Sequence, residues 1–152
     1  MTEMNEESLL ASEWNKMEEM IQVLEPFASH TNMLQTDASS LSIIIPSLLN
    51  LEYHLQQVSA AKTVTTSLLS AFWCQFGYML QPDITNFNPV PLAACLMDPT
   101  VGACLLAPEL AGLLHAAKLY VIQQAVKETQ QATDNSDSTT ASTSLVRAPV
   151  LY

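Results

Sequence analysis

Apolar residues recur at spacings of three and four through most of the chain, and the places where that rhythm fails divide it into elements. Over residues 12–34, Trp14, Met17, Ile21, Leu24, Ala28, Thr31 and Leu34 fall on one face, which predicts an amphipathic helix. Ser12 is placed to cap it, and Glu13 lies in its first turn, where the helix dipole favours negative charge. Pro26 falls inside the pattern. It removes a backbone donor and is expected to kink or divide the helix. Residues 35–39 read as a short loop, with Asp37 or Ser39 as the next cap. A second helix is predicted from about residue 40 to 58 through Leu41, Ile44, Ile45, Leu48, Leu51 and Leu55. Pro46 fits its first turn if the helix begins near Ile43. The β-branched run Ile43-Ile44-Ile45 has strand character, but the pattern that follows favours helix. Val64, Leu68, Ala71, Phe72, Phe76 and Met79 predict a third helix over 61–80, its end weakened by Gly77.

Residues 81–91, with three prolines and two asparagines, read as loop. Residues 92–97 are a short apolar element that stops at Asp98-Pro99. Pro108 then opens a fourth long helix, which runs to about residue 130 through Leu110, Leu113, Leu114, Leu119, Tyr120 and Val126. From Thr129 to Ser144, Ser and Thr dominate and apolar residues nearly vanish, the composition of a disordered tail. The pattern predicts an all-α chain of four main helices in a bundle or open layer. Residues 1–11 are a frayed N-terminus, 12–128 the helical domain and 129–152 the tail.

Composition narrows the function. Lys and Arg number 5 against 15 Asp and Glu, a net charge of −10, and seven of the acids lie between Glu3 and Glu25. Phosphate binding depends on Lys and Arg that displace counterions, so direct nucleic-acid binding by this chain is not expected. Charged residues make up 13% of the chain, about half the usual share of ~25%. So little charge suggests a surface that packs against a protein partner or another copy. Residues 90–117 carry only Asp98 and Glu109 as charges, yet Pro99 and Pro108 cut the stretch well short of the ~20 residues a membrane span needs. An acidic, polar N-terminus and an odd number of cysteines point to a reducing compartment rather than a disulfide framework.

The usual chemical constellations are not legible. Cys74, Cys95 and Cys104 and His30, His54 and His115 are scattered, without CxxC or HxxxH spacing, so no metal or cofactor is expected. No GxSxG occurs, and Cys74, beside Trp73 on an aromatic helix face, reads as core. The adjacent pairs Glu6-Glu7 and Glu18-Glu19 point to different helix sides and read as solvated faces. The aromatic set Trp14, Phe72, Trp73, Phe76 and Tyr78 reads as core rather than groove. Asp98-Pro99 reads as a turn or cap. No catalytic, cofactor-binding or metal-binding residue is assigned.

One register runs through these features. Trp14 is followed by Leu24-Glu25-Pro26-Phe27, Thr31, Ile44-Ile45-Pro46-Ser47-Leu48, Leu51, Leu55 and Ala93-Ala94-Cys95-Leu96-Met97-Asp98-Pro99. Their order resembles that of hAT-type transposases and the transposon-derived BED-type zinc finger proteins, over roughly residues 12–120. In that family an RNase H-like domain carrying three metal-binding acids is interrupted by a large all-α insertion, and the matching segments belong to the insertion. The resemblance implies a nuclear location, against a cytoplasmic one otherwise. The family usually follows its Leu-Asp-Pro motif with Arg and Lys, whereas this chain continues Thr100-Val101-Gly102. No match to the BED finger or to the segments bearing the acids is visible, so no catalytic residue carries over. The expectation is a non-enzymatic remnant of the insertion, acting as a protein-interaction or scaffold module without small-molecule substrate. The alternatives are a truncated part of a BED zinc finger DNA-binding nuclear protein and an unrelated helical-bundle adaptor.

Overall fold

The computed structural model describes residues 10–35 and 41–139, the last seven of them as backbone only. Its five helices are α1 (Ala11–Leu34), α2 (Ile44–Gln57), α3 (Lys62–Leu80), α4 (Val90–Met97) and α5 (Ala111–Thr139). One 3-10 turn, Leu41–Ile43, leads into α2, and two more, Gly102–Leu106 and Pro108–Leu110, lead into α5. Among the described residues there is no strand, so the chain is all-α, and Ile43-Ile44-Ile45 is helical. The short apolar element of residues 92–97 is the C-terminal part of α4, with Pro89 as its N-cap residue and Pro91 in its first turn. No helix among the described residues is long and apolar enough to cross a membrane.

Several local expectations are corrected. Ser12 does not cap α1. Leu10 is the N-cap residue, and the Glu13 carboxylate accepts the Leu10 N–H at 2.8 Å. This is the return half of a capping box, in which the third helical residue accepts the N-cap N–H. Pro26 does not divide α1, which continues to Leu34. A proline leaves the carbonyl four residues earlier without its helical donor. Here that carbonyl belongs to Gln22, and His54 Nε2–H of α2 donates to it at 3.1 Å. The neighbouring helix thus fills the vacancy. Helix α3 runs to Leu80 as expected, with Gly77 in its last turn. Gly77 is buried, and a Cβ there would come within 3.3 Å of Gln81 and 3.7 Å of the Trp73 ring. Helix α5 extends past the boundary expected at Thr129, its backbone helical to Thr139. Asp37, Ser39, the frayed start over residues 1–9 and the tail from residue 140 lie outside the described residues.

The core forms around α2, which packs against α1, α3 and α4. Ile45, Leu48, Leu51 and Leu55 are buried along one side of α2, and Pro46 sits in its first turn. From α3 come Phe72, Met79 and Leu80, and from α4 Leu92 and Cys95. Leu105 of the loop and Leu113 and Ala117 of α5 close the far side. Helix α1 contributes one fully buried residue, Val23, with Phe27 packed beside it. Phe72 makes an edge-on contact with Trp73, ring centroids 5.8 Å apart, and a tilted one with Phe76 at 5.4 Å. Trp14, grouped with these aromatics by sequence, is exposed and stands apart from them.

Ala61 caps α3 in the left-handed conformation, φ 45 and ψ 46, a region costly for a residue with a Cβ. The buried Thr65 side chain reaches back to this corner, its hydroxyl donating to the Ala60 carbonyl at 3.1 Å.

Candidate functional site

The apolar face predicted for α1 is exposed. Trp14 is 54% exposed, Met17 44%, Ile21 61% and Leu24 43%. The helix docks through another side. His30 Nε2 accepts from Asn50 Nδ2 at 3.2 Å, and the Gln22 carbonyl accepts from His54. Both contacts, like Val23 and Phe27, lie from Gln22 onward along α1. Residues 11–19 are exposed throughout and run past this anchorage for about 13 Å at the helical rise.

The exposed apolar residues follow one another at steps of four, three, four and three from Leu10 through Trp14, Met17 and Ile21 to Leu24. That alternation is the a/d seam of a heptad repeat, with Trp14 and Ile21 at a and Met17 and Leu24 at d. Glu18 and Glu25 then occupy e, while g holds Glu13, Met20 and Phe27. Met20 and Phe27 are half-buried, so one shoulder of the seam merges with the body and the other is lined by carboxylates. Lys16, at a c position, lies off the seam. Helix α5 leaves the body similarly, with Leu119, Ile122 and Val126 exposed at three-four spacing.

A cavity of about 470 Å³ lies between α1, α2 and α3. Phe27, Leu34, Ile44, Leu48, Phe76 and Met79 make its wall mostly apolar, and His30 and Ser47 also line it. His30 Nδ1 and Ser47 Oγ are shielded from solvent, and neither has a hydrogen-bond partner among the described residues. Unpaired buried polar atoms weaken a core, so this is a soft place in the α1–α2 contact.

Asp98 is a structural organiser. Its Oδ2 accepts from Ser42 Oγ at 2.6 Å, and its Oδ1 accepts from the Thr100 N–H at 2.9 Å and hydroxyl at 2.6 Å. Its carbonyl accepts the Gly102 N–H at 2.8 Å. These bonds end α4 and tie it to the turn before α2. The hydrogen bonds from Ser42 and Thr100 hold the Asp98 carboxyl below the usual carboxylate range. Gly102 is required by close approach, since a Cβ there would lie 2.9 Å from the Cys95 carbonyl oxygen and 3.0 Å from that of Leu96. The turn expected at Asp98-Pro99 is therefore present.

The cysteines are rearranged relative to expectation. Cys74 is exposed rather than part of the core. Cys95 and Cys104, nine residues apart, come together with sulfurs 3.8 Å apart. Burial and the adjacent Cys104 push the Cys95 thiol up to about 12. It stays protonated at neutral pH and is a poor nucleophile. Among the described residues, no three of His, Cys, Asp and Glu gather where they could hold one metal ion. Cys95 and Cys104 carry no CxxC spacing, and they meet because the turn held by Asp98, Thr100 and Gly102 folds the chain back after α4.

No family model, curated protein or solved structure matches the chain.

Proposed function

We propose that the chain is a non-catalytic helical module that docks a protein through the exposed a/d face of α1, and that it descends from the helical insertion of an hAT-type transposase. The observation that carries the docking reading is the run Trp14, Met17, Ile21 and Leu24, at heptad spacing and at least 43% exposed, on a helix held to the body by its other side. The proposed lineage rests on the motif order from Trp14 to Asp98-Pro99, and a nuclear location goes with it.

Fluorescence tests the docking reading. In a Trp73→Phe background, Trp14 of the isolated chain should emit as a water-exposed indole and be quenched freely by acrylamide. An indole already shielded in dilute monomer would mean that the chain covers the face itself, and would overturn the reading. For the non-catalytic part, purified chain incubated with transposon-end DNA and Mg²⁺ or Mn²⁺ should leave the DNA intact. Cutting or joining would overturn it.

A further inference from the structure

We infer that the occupant of the α1 face is an amphipathic helix of another protein, its apolar seam flanked by lysine and arginine. The inference rests on the docking reading and names the partner's chemistry.

The spacing selects a helix. A strict four-three alternation from Leu10 to Leu24 presents knobs to the holes of a second helix, over about 21 Å of axis. The flanks select its charge. A partner helix lying along this seam meets Glu18 and Glu25 on the open shoulder and Glu13 near the N-terminal end. Lys16 is directed away, so no base on α1 answers an acidic partner. Lysine or arginine at the facing positions would complete e/g pairs of opposite sign.

The same charges argue against a second copy. Two α1 seams face to face set glutamates beside glutamates in either orientation, between chains that each carry a net charge of −10. The shorter α5 stripe of a second copy, Leu119, Ile122 and Val126, offers one flanking base, Lys118. A membrane surface is disfavoured too, because helices that lie on anionic lipid carry Lys and Arg on their polar face.

The test uses the full chain and two synthetic four-heptad peptides with identical Leu/Ile seams, one with lysine at every e and g position and one with glutamate. Titration calorimetry should show the lysine peptide binding at least about tenfold tighter, with the difference shrinking as salt is added. Glu18→Lys combined with Glu25→Lys should reverse the preference. Ile21→Asp, at an exposed position and checked by circular dichroism for an unchanged fold, should abolish binding of both peptides. Equal binding of the two peptides, or a preference that ignores the charge reversal, would overturn the choice of partner while leaving the docking reading intact. So would a micromolar dimer seen by light scattering and dissolved by Ile21→Asp, since the occupant would then be a second copy. A monomer that binds neither peptide would overturn both.

Discussion

Helices α1 and α2 carry the same three-four apolar rhythm and come to opposite ends. In α2 the face that the rhythm defines, Ile45, Leu48, Leu51 and Leu55, is the centre of the core. In α1 the corresponding face is open, and the helix is anchored by Val23, Phe27 and two histidine contacts on another side. Periodicity thus reports that a helix has an apolar face, and not what covers it. The difference lies in the neighbours. Helix α2 is surrounded by α1, α3 and α4, whereas the first half of α1 runs beyond its contacts with α2.

Substitution at the centre of the α2 face should have the largest effect. Leu48→Ala removes a side chain that is 5% exposed and should lower stability by about 2–4 kcal/mol in chemical denaturation. An effect below about 1 kcal/mol would erase the contrast between the helices. Gly102→Ala probes the link that brings α4 onto the turn before α2. Its Cβ meets backbone oxygens that cannot swing aside, so a loss of about 1–3 kcal/mol is expected.

The Asp98 carboxylate gives the same body a pH dependence. Its pKa is lowered in the folded state, so its contribution is fully present above the ordinary value of 3.8 and is lost as pH falls below it. Asp98→Asn should reduce stability at pH 7 and flatten the acid limb of a stability-versus-pH curve. An unchanged acid limb would show that the turn does not depend on the charge.

Two smaller substitutions act on the α1–α2 contact itself. Ser47→Ala removes a buried hydroxyl without a partner among the described residues and should raise stability by about 1 kcal/mol, seen as a higher Tm. His54→Phe should cost about 0.5–1.5 kcal/mol, because the Gln22 carbonyl loses the donor that replaces the Pro26 N–H. Pro26→Ala restores that N–H, so His54→Phe should cost less in its presence. A double-mutant cycle measures the difference, and strict additivity would refute the compensation.

The helical class and most helix ends were legible in the sequence because they follow from local signals. The apolar rhythm marks α1, α2 and α3, and Pro108 marks the start of the segment leading into α5, whereas Pro89 and Pro91 read as loop and in fact open α4. What escaped depends on contacts between distant residues. Ser12 was the better local cap, yet Glu13 supplies the bond. Pro26 reads as a break until His54, 28 residues on, donates to Gln22. Cys74 sits among aromatic neighbours in the sequence but is exposed on α3. The residues of the candidate site were all visible as one helix face. That the face stays open depends on which side of α1 meets α2, and no local pattern encodes that packing.

Ile21→Asp tests the central claim most directly, by the midpoint of thermal unfolding. Ile21 is 61% exposed on the α1 seam, so the substitution should change stability by less than about 0.5 kcal/mol and leave the midpoint where it was. A fall comparable to that of Leu48→Ala would place the α1 face in the core of the isolated chain and contradict its role as a docking surface.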